Sequence, residues 1–523
     1  MLFNSVEFLF YFLPVTLFAF FIVADRFGKE SAIAVLVVAS LFFYAWWNPK
    51  YLLLLAGSML FNYFLGRALG RQGRPLSLLV LGIVVNLSLL GYFKYAGFLV
   101  SNINSLTGGD WNIGHVFLPL AISFFTFQQI AYLVDSYKGI TQEYSFLHYC
   151  LFVSFFPQLI AGPIVHHKEM LPQFASGSAY RFNAGNFSIG LSIFAIGLFK
   201  KTVLADGVAV YANPVFAAAD AGESLDFFTA WGGALAYSFQ LYFDFSGYSD
   251  MAIGLARMFG IILPLNFYSP YKAANIAEFW RRWHITLSRF LRDYIYIPLG
   301  GNRRGEFRRY QNLFITMLLG GLWHGAGWNF VIWGALHGGY LATHQIWTRA
   351  LALLGFSPQN NKLYVFWSWT LTMLAVVVGW VFFRAVTLDG ALGMLSSMAG
   401  ANGVSIPNAL YSRLDMLHPV FDLFGVQANS QGGGQFVATW LWIVALLPVC
   451  ILMPNVQDLF SKVKGSLDSH FVFSSLSAFW PGLKLVRGLT WQASSRWAWL
   501  CAAALALGVM TLGQVSEFLY FQF

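Results

Sequence analysis

The side chains with the most chemical potential lie between residues 240 and 344. His324 sits in Gly320-Gly321-Leu322-Trp323-His324-Gly325, after ten largely apolar residues. Ionisable groups at membrane depth are costly and count as functional candidates by default. A neutral imidazole is the least costly base to hold there, and its unperturbed pKa of about 6.5 suits proton transfer near neutral pH. The bland alternative is a core histidine bonded to a backbone carbonyl. Three features favour chemistry: His284 forty positions upstream beside arginines, His337 thirteen downstream on the next helical segment, and glycines that would let a substrate approach His324. A metal site is disfavoured, because no His-x3-His pair or neighbouring carboxylate accompanies these histidines.

A second constellation is Gln240-Leu241-Tyr242-Phe243-Asp244-Phe245-Ser246-Gly247-Tyr248-Ser249-Asp250. Two carboxylates and two tyrosines in an apolar region could pair with Arg281 or Arg282, orient a histidine, bind substrate, or lock helices together. His166-His167 read as loop histidines. Cys150, Cys450 and Cys501 are isolated and suggest neither disulfides nor a zinc site.

The elements that hold these groups follow from composition. Of 523 residues, 58% are hydrophobic and 10% charged, with a mean hydropathy of +0.61. A soluble chain carries about 25% charged residues, so this one has too few to coat a water-facing surface. Runs without Asp, Glu, Lys or Arg recur at Ser31–Pro49, Pro75–Phe93, Trp111–Val134, Phe182–Phe199, Phe227–Phe243, Leu363–Phe383, Gly434–Gln457 and Trp497–Ser516. A helix crosses a bilayer in about 20 apolar residues, and backbone in lipid must satisfy itself. With Phe8–Ala24 and Tyr51–Gly66 added, the expectation is an all-α polytopic membrane protein of roughly a dozen spans plus interfacial helices. Met1–Glu7 lacks a basic region, so the first segment is expected to be retained. Ala401–Gly434 reads as an extramembrane excursion, and residues 1–523 as one membrane domain. Phe279–Arg292 reads as one amphipathic interfacial helix with aromatic anchors. Gly300–Gly305 reads as a turn, and Gln311–Thr348 as charge-free helix broken at Gly325-Ala326-Gly327.

Charge placement orients the chain. Residues 271–310 carry nine Lys or Arg against three carboxylates, and Arg67, Arg71 and Arg74 form a second cluster. Ser101–Gly114 has no Lys or Arg. The positive-inside rule puts both clusters in the cytoplasm, Ser101–Gly114 outside, and the N-terminus outside. Topology and anionic headgroups explain the larger cluster. A sharper reading is that it also receives a phosphate-bearing donor.

Phe279-Trp280-Arg281-Arg282-Trp283-His284 and Leu322-Trp323-His324-Gly325, with Leu241–Asp250 before them, resemble the membrane-bound O-acyltransferase family, in the subgroup of the alginate O-acetylation membrane protein. Phe42–Trp47, Gly91-Tyr92-Phe93-Lys94-Tyr95, Pro157–Pro163 and Trp380–Ala385 match as well, so the resemblance covers about residues 1–390; residues 391–500 carry no recognised motif. It implies a ring of tilted helices around a central tunnel from cytoplasm to exterior, with His324 the catalytic histidine and His284 its support. Trp323, Tyr242, Asp244, Asp250 and His337 would line or support that site, and Arg281 and Arg282 would hold the donor. It further implies acetyl transfer from acetyl-CoA, with no bound cofactor, to a secreted polysaccharide such as alginate or cellulose. The expected partners are the lipid bilayer and a periplasmic acetyltransferase at the bacterial inner membrane, and not nucleic acid. Peptidoglycan O-acetylation, D-alanyl transfer to teichoic acid from a carrier protein, and a passive export pore are the alternatives. The aromatic ending Glu517–Phe523 is similar to the C-terminal motif of a small partner in D-alanylation systems, which makes Tyr520 a candidate acyl carrier or an interface anchor.

Overall fold

A computed structural model describes residues 1–70, 75–141, 145–358, 361–429, 432–463, 489–513 and 519. Arg71, Arg74 and Tyr520 lie outside the described residues. Among the described residues the fold is helical apart from one two-stranded parallel sheet, in which Val404–Pro407 pairs with Val426–Asn429 in the register Val404↔Val426. That sheet and exposed short helices lie within the stretch 401–429.

Among the described residues six helical segments are long and apolar enough to cross a bilayer: Glu7–Phe27, Lys50–Leu69, Leu76–Thr107, Ala184–Asp220, Lys362–Arg384 and Gly433–Leu452. The chain is thus a multi-pass membrane protein. The larger number read from the sequence also took in shorter or more polar helices. One expected span differs outright: Trp111–Val134 is helical only from Ile122. Pro119 offers no backbone donor, and Gly114 (φ 71°) and Ala121 (φ 59°) turn the chain out of helical geometry before it.

The helix Phe227–Met258 is the centre of the molecule. Asp226 caps it by accepting from Thr229 N–H at 2.9 Å. Every residue from Ala236 to Met258 is buried. It lies almost backbone to backbone on Ala184–Phe199. A Cβ on Gly254 would stand 2.6 Å from the Gly190 carbonyl, and one on Gly247 2.8 Å from that of Gly197. Small residues allow this approach where lipid supplies no hydrophobic drive.

Beside that seam the chain widens into a π turn at Lys200–Ala205, from which two consecutive lysines reach the long helix. Lys200 pairs with Asp250 at 2.6 Å, and Lys201 with Asp244 at 2.6 Å and Asp206 at 2.8 Å. This corrects the pairing of Asp244 and Asp250 with Arg281 or Arg282. Arg282 is taken by Glu278, four residues earlier on its own helix, at 2.7 Å.

Two further expectations change. Phe279–Arg292 is not one helix but two, Ile276–Arg282 and Ile285–Leu291, broken at His284. Its Trp280, Trp283 and Phe290 are buried in protein rather than set out as interface anchors. His166 and His167 are buried too: the Tyr294 hydroxyl lies 3.1 Å from His166 Nδ1, and Thr141 bonds the His167 ring.

Candidate active site

Glu306–His324 and Trp328–Leu353 form a helical hairpin, broken where the sequence placed the break. An ion pair of Glu306 with Arg349 ties its base. Near the tip its two arms touch: a Cβ on Gly321 would lie 2.3 Å from the Phe330 carbonyl, and one on Gly334 2.6 Å from that of Met317. A Cβ on Gly325 would strike the Phe330 ring at 2.1 Å. Gly321 and Gly334 therefore serve helix–helix contact.

His324 is the last residue of the first arm. A helix leaves its final carbonyls without intrahelical donors, and here another segment supplies them. Tyr95 Oη donates to Leu322 O at 2.7 Å, and Lys94 Nζ to Trp323 O at 2.6 Å and His324 O at 3.0 Å. The imidazole of His324 meets Trp333 and Phe383 edge to face, each at 5.1 Å between ring centres.

His284 faces it, with ring centres 6.4 Å apart. His284 is fully buried and adopts φ 44°, ψ 55°, a left-handed conformation that a residue with a Cβ adopts at a cost. Asn266 holds it there. Asn266 Oδ1 lies 3.0 Å from His284 Nδ1 and also accepts from Thr286 Oγ1 at 2.9 Å. An acceptor on that side puts the ring proton on Nδ1 and the lone pair on Nε2. The Ile285 N–H donates to the Asn266 carbonyl at 2.9 Å, which pins the turn itself.

The remaining candidates fall at different distances from this pair. Trp323 touches both rings, 6.2 Å from His284 and 4.9 Å from His324. His337 is fully buried behind Trp333 and accepts from Trp280 Nε1 at 3.3 Å. Tyr242 packs on Tyr271, Phe267 and Trp283, and Phe267 stands between it and His284. Asp244 and Asp250 belong to the lysine network; Asp244 also accepts the backbone N–H of the buried Leu519.

Two cavities border the segments that carry the histidines. One, of about 220 Å³, is walled by His324, Trp323, Lys94, Ser123, Ala161 and Trp47. The other, of about 400 Å³, is bordered by Arg281, Arg289, Arg292, Trp280, Ile285 and Thr286. Ile285, which borders the second cavity, directly follows His284, while His324 lines the first. Arg281 lines the second cavity and Arg282 does not. Arg289, held by Glu169 at 2.7 Å, and Arg292 do, and neither was singled out from the sequence.

Lys94, Asn266, Trp333 and Phe383 also lay outside the chemical reading. Lys94 had a signal, a lone charge closing an uncharged run. Asn266 had none, since its role depends on the turn at His284.

The sequence model of the membrane-bound O-acyltransferase family matches residues 135–383. The chain is 48% identical over 453 residues to a peptidoglycan O-acetyltransferase of Helicobacter pylori, covering 81% of this chain and 84% of that one. It is 44% identical over 407 residues to a Pseudomonas aeruginosa protein named "Probable alginate O-acetylase", covering 76% and 75%. A teichoic acid D-alanyltransferase of Streptococcus thermophilus is 28% identical over 238 residues, covering 44% of this chain and 57% of that one.

Proposed function

The chain belongs to the membrane-bound O-acyltransferase family, and on that footing we propose that it moves an acetyl group from cytoplasmic acetyl-CoA to a hydroxyl acceptor reached from outside. The observation that carries this reading is the facing pair of imidazoles, with His324 walling one cavity and the residues that follow His284 bordering a second, arginine-bordered one.

The donor is a large anion that does not cross lipid. Arg281, Arg289 and Arg292 border the larger cavity and suit its phosphates. The basic segment around them faces the cytoplasm by the positive-inside rule, which leaves the N-terminus outside. In the step itself His324 takes the hydroxyl proton as the C–O bond forms. The thioester carbonyl becomes an oxyanion, which collapses with loss of the C–S bond and a thiolate that takes up a proton. Trp323 lines the His324 cavity, and its indole N–H has no protein acceptor among the described residues, so it suits the oxyanion. His284, oriented by Asn266, braces His324 across the pair.

The final acceptor is a glycan outside the membrane, reached through a periplasmic partner. The relatives are named for peptidoglycan, alginate and, at lower identity, teichoic acid; the H. pylori protein (48% identical) points to the first and the Pseudomonas protein (44%) to the second. NMR and mass analysis of surface polymers with and without the gene tests the reading. Acetyl esters lost from one polymer support it and name the acceptor; loss of D-alanyl esters, or no change, refutes it.

A further inference from the structure

Lys94 is a charged residue inside Leu76–Thr107, a segment long and apolar enough to cross a bilayer. Its segment Gly91–Tyr95 is a π turn within that helix, a local widening that is common at functional sites. The turn sends two adjacent side chains to one place, the carbonyl end of the helix that His324 terminates.

The ammonium is met by Trp323 O at 2.6 Å, His324 O at 3.0 Å and Ser123 Oγ at 3.4 Å. It also lies 5.9 Å from the centre of the Trp323 ring. Three acceptors match the three N–H donors of a protonated amine. All three are neutral, and no carboxylate pairs with Lys94 among the described residues. The contrast inside the same protein is sharp: Lys200 and Lys201 each bond carboxylates directly. A cation at membrane depth without a counter-charge is costly, and a purely structural cap needs none, since the Tyr95 hydroxyl already caps Leu322 neutrally.

Resting on the acyl-transfer reading, we propose that Lys94 is a positioning residue for that reaction: it fixes the helix end carrying His324 and supplies positive charge to the cavity beside it. Negative charge that develops on the acyl oxygen during transfer is then met by a fixed cation, set in place before the reaction and screened little by solvent.

The test uses the full chain in lipid nanodiscs with radiolabelled acetyl-CoA and a soluble hydroxyl acceptor, and compares wild type, Lys94→Ala, Lys94→Met and Lys94→Arg. Transfer by wild type comes first: its absence from acetyl-CoA would sink the donor reading, whereas the Lys94 variants bear on this inference only once wild type turns over. Lys94→Met is expected to lower kcat about 100-fold, with the donor KM changed less than about threefold and the melting temperature kept. Lys94→Arg should retain more activity than Lys94→Met. Propylammonium should restore Lys94→Ala about tenfold or more by refilling the site with a cation. The proposal is overturned if Lys94→Met turns over within threefold of wild type. It is also overturned if the amine restores nothing, or if the loss simply tracks a drop in melting temperature.

Discussion

The imidazoles of His284 and His324 face one another with ring centres 6.4 Å apart and planes inclined by 59°, each at a helix end rather than in a helix interior. One sits at a left-handed break between two seven-residue helices, the other at the last residue of a nineteen-residue one. Each is held from outside its own helix, His284 by Asn266 and His324 through the carbonyls that Lys94 and Tyr95 grip. Aim, rather than proximity alone, is what the surrounding residues fix.

Asn266→Leu should therefore cost activity out of proportion to stability. It removes the acceptor that places the proton of His284 on Nδ1, and the expected loss is about 10²-fold in kcat with little change in donor KM. Steady-state kinetics beside a melting curve check it; unchanged kcat would mean that the orientation of His284 is immaterial.

What the sequence disclosed divides along physical lines. Membrane residence was legible because uncharged length is a property of contiguous residues. The break at Gly325–Gly327 was legible because two glycines flank one alanine between apolar helices. The pairing of Asp244 and Asp250 was not. Their lysines lie some forty to fifty positions away on another helix, while Arg281 and Arg282 looked nearer along the chain. The break at His284 was hidden for a related reason: an amphipathic pattern continues across it, and only tertiary hydrogen bonds from Asn266 sustain the left-handed turn. His324 was plausible by position and singled out by motif; the grip of Lys94 on it required the fold.

Gly334→Val probes the hairpin. The new side chain would press on the Met317 carbonyl and on Leu318, and overpacking of this kind costs about 1–3 kcal/mol. Spreading of the arms displaces His324, so activity should fall at least tenfold while Gly339→Ala, which meets nothing within 4 Å, stays at wild-type level. Paired thermal melts and transfer assays decide it; equal behaviour of the two variants would remove the hairpin contact from the account.

Arg281→Gln probes the donor side. Arg281 is exposed at the larger cavity and donates to its own helix, to Ala277 O at 3.2 Å. Its replacement should raise the KM for acetyl-CoA about tenfold with kcat retained, as expected for a lost charge-assisted contact. The wild-type KM should rise with salt, and more steeply than that of the variant. A KM unaffected by both substitution and salt would place the donor elsewhere.

The central claim is that His324 takes the proton during acyl transfer, and the most direct measurement is the acetyl-ester content of the surface polymer in cells making wild type or His324→Ala at equal membrane abundance. Loss of a general base costs about 10²–10⁴-fold in rate, so the account predicts esters at the level of cells lacking the gene. Ester content within about twofold of wild type in the His324→Ala cells, where that rate loss should be visible, would contradict it.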